Sequence, residues 1–313
     1  MKNITTELIK EIKYWKDKRN AVILAHNYQR QEVQEISDFC GDSLALAFKA
    51  READKGVIVL CGVHFMAEAA AILNPDKTVL LPELEAGCPL ANMAPVEKVK
   101  EWKKRYPDAK MIAYINTLAD VKALSDIVCT SSNACKIVNS LGRDEQILFV
   151  PDKNLGHWVS KQTGRDLILY NGYCITHYFL TREEVSITKN RYKKAKFVAH
   201  PECRPEVLEL ADYVGSTSQI IEYCTKTDFK EYIIGTEEGV VNTLIKWNPE
   251  KRFYLGSKFL VCLNMKIITL KSILDSLIEM RYRITVEKNI EEKSKRALDK
   301  MLEISKAVPQ PQP

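Results

Sequence analysis

Three stretches of this chain repeat one another at a spacing of about 87 residues, and that periodicity restricts the fold more than any single motif does. AVILAHNY at 21–28, KMIAYIN at 110–116 and AKFVAHPE at 195–202 each read as a short buried strand that runs into polar residues. Aligned on His26, Tyr114 and His200, they stand 88 and 86 residues apart. A cluster of small residues that opens a helix follows each strand: Gly41-Asp42-Ser43, Cys129-Thr130-Ser131-Ser132 and Gly215-Ser216-Thr217-Ser218. Ser43, Ser131 and Thr217 keep the same 88 and 86 spacing.

Each copy continues with a second strand (GVIVLCG, EQILFVPD, EYIIGTEEG) and a third (TVLLPE, DLILYNG, KRFYLGS). Shortly after the third comes a cysteine, Cys88, Cys174 or Cys262, 86 and 88 apart. Charged amphipathic helices at 5–19, 95–106 and 182–193 precede the copies, and a fourth, at 265–279, follows Cys262. Continuous Val/Ile/Leu strands alternating with helices predict parallel sheets covered on both faces, joined by right-handed crossovers. The expected fold is therefore α/β: three pseudo-threefold-related αβα domains with small parallel sheets and a site on their common axis. The boundaries fall at 1–94, 95–180 and 181–313, the last with a C-terminal helix and a PQPQP end at 309–313 expected to be disordered.

Bulk properties narrow the function. The 313 residues, 46% of them apolar, suffice for a large core. The net charge of +5 is spread along the chain; it suits small anionic substrates and argues against nucleic acid as a partner. Basic runs such as Lys103-Lys104-Arg105 read as solvated helix faces. The N-terminal stretch is charged and amphipathic, without the apolar core of a secretory signal, and no apolar run approaches a membrane span. A cytoplasmic protein with no membrane partner is expected, and in a reducing compartment its nine cysteines are not expected to form structural disulfides.

In open parallel α/β units, ligands bind beyond the carboxyl ends of the strands. If three such ends face one axis, Cys88, Cys174 and Cys262 converge into one thiolate site. Thiolates select zinc or iron–sulfur clusters. The C-x2-H of Cys174 and His177 keeps a Cys3His zinc site open, whereas three cysteines on a cubane would leave one iron free, as Lewis-acid catalysis needs. The other six cysteines (40, 61, 129, 135, 203 and 224) read as core or near-site residues.

Several long motifs carry a family likeness. VCTSSNA (128–134) with YINTLADVKALSD (114–126), AHNYQ (25–29), GDSLALA (41–47), CGVHFMAE (61–68), PDKNLGHWVSKQTG (151–164), HPEC (200–203) and GTEEG (235–239) resemble the quinolinate synthase family, in order, over residues 20–304. The resemblance implies an enzyme of NAD biosynthesis. It implies condensation of iminosuccinate (iminoaspartate) with dihydroxyacetone phosphate to quinolinate, phosphate and two waters. It implies one 4Fe–4S cluster held by Cys88, Cys174 and Cys262, with an open iron for the substrate, and a triangular arrangement of αβα domains. Iminosuccinate would be supplied by an aspartate oxidase or dehydrogenase. The chain departs from the family pattern at Pro89 and Asn92, which bears on the local helix geometry.

Substrates with two carboxylates and a phosphate need oriented donors. Ser43, Ser131, Ser216 and Thr217 are placed where helices begin and are assigned to these anions. Plain N-capping is the alternative for each serine taken singly. His26 and His200 hold the same position in repeats one and three and suit anion binding or proton transfer. Glu202 is the candidate general base, against an alternative role in a structural ion pair. Tyr28 is assigned to proton donation, Tyr114 and Asn116 to carboxylate binding, and His177 to the site's edge near the cysteines. Catalysis is placed on Tyr28, Glu202 and His200. An iron–sulfur dehydratase of another small acid and a non-catalytic metal or redox sensor are the rival classes.

Overall fold

The computed structural model describes residues 2–305, so the expected disorder of 309–313 lies outside the described residues. Twelve strands form three sheets. The first holds β1 (Ala21–His26), β2 (Phe39–Gly41), β3 (Val57–Cys61) and β4 (Thr78–Leu80). The second holds β5 (Lys110–Tyr114), β6 (Ile127–Cys129), β7 (Ile147–Val150) and β8 (Leu167–Leu169), and the third β9 (Lys196–Ala199), β10 (Tyr213–Val214), β11 (Glu231–Gly235) and β12 (Arg252–Leu255). All pairings within the sheets are parallel, and the order is the same each time: β2-β1-β3-β4, β6-β5-β7-β8 and β10-β9-β11-β12. The expected α/β class and the three layered repeats are present.

The edge strands β2, β6 and β10 are an addition to the sequence reading. At two or three residues they are too short for a hydrophobic pattern to show. A repeated aspartate fixes them. Asp38, Asp126 and Asp212, just ahead of these strands, accept the backbone N–H of Ile23, Met111 and Phe197 at 2.8, 2.8 and 2.9 Å.

Side-chain alternation explains the layers. In the third sheet Phe197, Ala199 and Ile233 join one apolar layer with Val185 and Val207, while Val198, Tyr232 and Ile234 join the opposite one with Ile220 and Leu244. Period-2 alternation with both faces apolar requires helices on both sides.

The polypeptide after Cys262 leaves repeat three. The helix Leu270–Glu279 packs on the N-terminal helix Lys2–Lys18, and Arg19 Nε donates to the Leu277 carbonyl at 2.9 Å. The helix Lys288–Ser305 lies across the helices His64–Leu73 and Ala119–Lys122, where Ser294 Oγ donates to the Ala119 carbonyl at 2.6 Å. Its Leu298, Met301 and Leu302 are fully buried there, so this last segment clamps repeats one and two together. No helix among the described residues is long and apolar enough to cross a membrane.

Candidate active site

The strand ends of all three repeats open into one cavity. Its lining includes His26, Tyr28 and Ser43 from repeat one, Tyr114, Asn116, Ser131 and His177 from repeat two, and His200, Glu202 and Thr217 from repeat three. Cys88, Cys174 and Cys262 line it too. The topology that put residues 86 and 88 apart in sequence at equivalent strand ends brings them together in space.

Each cysteine precedes a four-residue helix: Pro89–Asn92, Ile175–Tyr178 and Leu263–Lys266. Pro89, a departure from the family pattern, falls at the first helical position, where a missing N–H is tolerated. Burial pushes the Cys88 thiol up to about 12, Cys262 up to about 11 and Cys174 well above its ordinary value. The backbone N–H groups of Ala91, Met265 and His177, each three residues on, pull the other way. Three thiols that are reluctant to ionise without a cation, yet face aligned N–H donors, are a donor set suited to a metal group that displaces their protons. The other six cysteines do not line this cavity, and Cys61, Cys129, Cys203 and Cys224 are buried elsewhere.

A continuous hydrogen-bond chain crosses the cavity wall. His177 Nδ1 lies 2.8 Å from Glu202 Oε2, and His177 Nε2 lies 2.9 Å from Thr236 Oγ1. Thr236 Oγ1 is 2.9 Å from the Tyr28 hydroxyl, which accepts from Thr217 Oγ1 at 3.0 Å. Burial would raise Glu202, but the His177 imidazole that donates to it at 2.8 Å opposes this, and the carboxyl is held below its ordinary range. An ionised carboxylate only accepts, so His177 donates from Nδ1, and in the neutral ring Nε2 accepts from Thr236. This sets one direction for the chain: Thr217 to Tyr28, to Thr236, to His177, to Glu202. The second Glu202 oxygen, Oε1, is buried without a hydrogen-bond partner among the described residues.

The two equivalent histidines are held alike. His26 Nδ1 accepts the Tyr28 N–H at 3.1 Å, and His200 Nδ1 accepts the Glu202 N–H at 3.3 Å. Burial drives them down to about 4 and about 3, so each is neutral near pH 7 with its hydrogen on Nε2. His200 Nε2 stands 3.2 Å from Ser131 Oγ. Burial also raises Tyr28 and Tyr114 well above their ordinary value, which keeps both as hydroxyl donors. Asp152 is pushed up by burial and by the Glu202 charge.

Two assignments of the sequence reading change. Ser216 does not line the cavity: it is fully buried, caps the helix Thr217–Lys226 and meets Ser132 Oγ at 2.8 Å. Since Ser132 also donates to Asp42 at 2.8 Å, Ser216 belongs to a junction of all three repeats. Ser131 reaches the cavity from a turn, because the helix of repeat two starts only at Ala134. Thr236 was missed altogether. It follows the second strand of repeat three, and its only sequence signal was its place in GTEEG.

Cys174, His177 and Glu202 also form a compact group, with ligand atoms within 4.8 Å of one another, that can hold a metal ion. His177 has both ring nitrogens occupied by Glu202 and Thr236, so its bonding favours a supporting place beside Cys174.

Comparison with known proteins agrees across nearly the whole chain. The family described as Quinolinate synthetase A protein matches residues 10–303. The chain is 54% identical over 295 residues to the Quinolinate synthase of Caldicellulosiruptor bescii, covering 94% of this chain and 97% of that protein. It is 50% identical over 298 residues to Quinolinate synthase 1 of Methanosarcina acetivorans, covering 95% and 98%. Among solved structures, a Plasmodium falciparum E-1-hydroxy-2-methyl-but-2-enyl-4-diphosphate reductase aligns at TM-score 0.32 and 10% identity, over 88% of this chain and 94% of that one.

Proposed function

The chain belongs to the quinolinate synthetase A protein family, and on that footing we propose that it condenses iminosuccinate with dihydroxyacetone phosphate to quinolinate in NAD biosynthesis, releasing phosphate and two waters. The observation that carries this reading is the convergence of three cysteines, a hydroxyl–imidazole–carboxylate chain and paired neutral histidines on one cavity. The enzyme would work in the cytoplasm on small molecules, with iminosuccinate delivered by an aspartate oxidase or dehydrogenase. The three repeats are proposed as its domains, at 1–94, 95–180 and 181–313, the last carrying with it the C-terminal segment that packs back on repeats one and two.

Cys88, Cys174 and Cys262 would hold one 4Fe–4S cluster. When bound, it would supply Lewis acidity at an iron without a protein thiolate, favouring loss of water. A single ion at Cys174, His177 and Glu202 would leave Cys88 and Cys262 without a role, which favours the three-cysteine reading.

The protein's own groups divide the remaining work. Ser43, Ser131 and Thr217, with neutral His26 and His200, offer hydrogen-bond donors to the carboxylates and the phosphate. Neutral imidazoles serve here because they donate without forming an ion pair that would hold the product. Tyr114 and Asn116 orient a carboxylate from repeat two. Glu202, ionised and with Oε1 unpartnered, takes a proton from carbon or nitrogen in the enolisation and dehydration steps. His177 and Thr236 connect that carboxylate to Tyr28 with donors running toward Glu202, so the chain holds Glu202 as the proton acceptor, while the Tyr28 hydroxyl, turned from Thr236 to a leaving oxygen, would give up its own proton with Thr217 donating to the oxygen left behind.

The test is an anaerobic assay for quinolinate from the two substrates, with phosphate release measured alongside. Equal release of quinolinate and phosphate supports the reading. Absence of quinolinate from an iron-loaded protein overturns it.

A further inference from the structure

The three cysteine loops are anchored in the same way but not equally. Two residues before each cysteine, a carbonyl accepts a backbone N–H from just beyond the second strand. His64 donates to Ala86 at 2.7 Å, Lys153 to Gly172 at 2.9 Å and Glu238 to Leu260 at 2.8 Å. The residues immediately before these donors, Val63, Asp152 and Glu237, are therefore structural equivalents.

In repeats two and three that position is a buried acid that reaches the cysteine itself. Asp152 Oδ2 accepts the Cys174 N–H at 2.9 Å, while its Oδ1 takes the N–H groups of Asn154 and Leu155 at 2.9 and 2.8 Å. Glu237 Oε1 accepts the Cys262 N–H at 3.0 Å and Lys266 Nζ at 2.9 Å, and its Oε2 takes the Gly239 N–H at 2.7 Å. Both acids are fully buried. A buried carboxylate is tolerated only where donors satisfy it, so these two are anchored tightly. Lys266 extends the second anchor, since its Nζ also donates to the Tyr28 carbonyl at 2.7 Å and so ties the Cys262 loop to the Tyr28 strand end. Repeat one has Val63 in the same place, and a valine offers no acceptor to Cys88.

We propose that Asp152 and Glu237 are positioning residues that fix Cys174 and Cys262, and that Cys88 is the compliant arm of the three. Two rigid arms and one yielding arm let a metal group seat against Cys174 and Cys262 before Cys88 closes on it, and leave by the reverse path. The role toward a metal group rests on the proposed three-cysteine site; the difference in rigidity does not.

The test labels cysteines in the metal-free full-length chain with iodoacetamide and reads each site by mass spectrometry. Hydrogen exchange should find the Cys88 backbone N–H the fastest of the three, and labelling is compared at each cysteine between variant and parent, because Cys88 holds its thiol proton more tightly than Cys262. Asp152→Ala should speed labelling at Cys174 alone and Glu237→Ala at Cys262 alone, each by roughly 10-fold, the change expected when one hydrogen bond to a charged group is lost. Asp152→Asn and Glu237→Gln, which keep an acceptor oxygen, should restore most of the protection. Equal amide exchange at the three cysteines, or variants that speed labelling of all of them together with buried Cys61 and Cys129, would overturn the proposal as general loosening. In the iron-loaded protein, the alanine variants should release iron to a chelator faster than the parent. A parent that takes up no iron while the labelling pattern holds would reject the metal site and leave the positioning claim standing.

Discussion

The Thr236 hydroxyl lies 2.9 Å from His177 Nε2 and 2.9 Å from the Tyr28 hydroxyl, so one threonine of repeat three joins a tyrosine of repeat one to a histidine of repeat two. With His177 Nδ1 at 2.8 Å from Glu202 Oε2, the four side chains form a directed path for a proton. Thr236→Val keeps the shape and removes the relay. Leaving buried partners unpaired costs about 1–3 kcal/mol, so kcat should fall roughly 5- to 150-fold with KM little changed. Steady-state kinetics with quinolinate as the measured product checks this split.

Glu202→Gln should cost more. Removing a general base typically loses about 10²- to 10⁴-fold in rate. Iron content and substrate affinity should stay near parental values, because the glutamine still offers an oxygen to His177. Iron analysis and kinetics on one preparation separate loss of chemistry from loss of the site.

Ser43→Ala and Ser131→Ala should act on binding. Both serines line the cavity, and each hydroxyl hydrogen bond lost to a charged anion is worth about 1.5–3 kcal/mol. The expected change is a rise in KM of roughly 10- to 150-fold for one substrate per variant, with kcat close to parental. Ser216→Ala, at the junction of the repeats, should instead lower the melting temperature.

The neutral histidines give a pH dependence of stability. His26 is held down to about 4 in the folded protein by burial, against an ordinary value of 6.5. The unfolded chain therefore binds the extra proton first. The stability tied to His26 is full above about pH 6.5 and is lost as the pH falls toward 4, on the order of 2–3 kcal/mol over the window. In thermal melts of metal-free protein from pH 7 to 4.5, His26→Asn should flatten the decline relative to the parent. Parallel curves would count against a buried neutral His26.

Much of this site could be read before any coordinates, because the repeat converts sequence distance into spatial equivalence. His26, Tyr114 and His200 are far apart in the chain yet end equivalent strands, as do the three cysteines. The edge strands β2, β6 and β10 escaped notice because two or three residues carry no period. Ser216 was misplaced because an N-cap serine and an anion-binding serine look alike in sequence; only the bond to Ser132 separates them. Thr236, Asp152 and Glu237 lie just past the second strands, where burial decides their role and composition does not. The return of the chain after Cys262 to repeats one and two is a matter of tertiary packing, and an amphipathic helix does not name its partner in advance.

The most direct test of the central claim, that three distant cysteines form one metal site, is iron and sulfide analysis with absorption spectra. It should be run on anaerobically reconstituted parent protein beside Cys88→Ala, Cys174→Ala and Cys262→Ala. The account predicts 4Fe–4S stoichiometry and broad iron–sulfur absorption in the parent, with both diminished in all three variants and quinolinate formation lost in each. A parent that binds a single zinc or iron ion, lost on replacing Cys174 but unaffected by replacing Cys88 or Cys262, would contradict it.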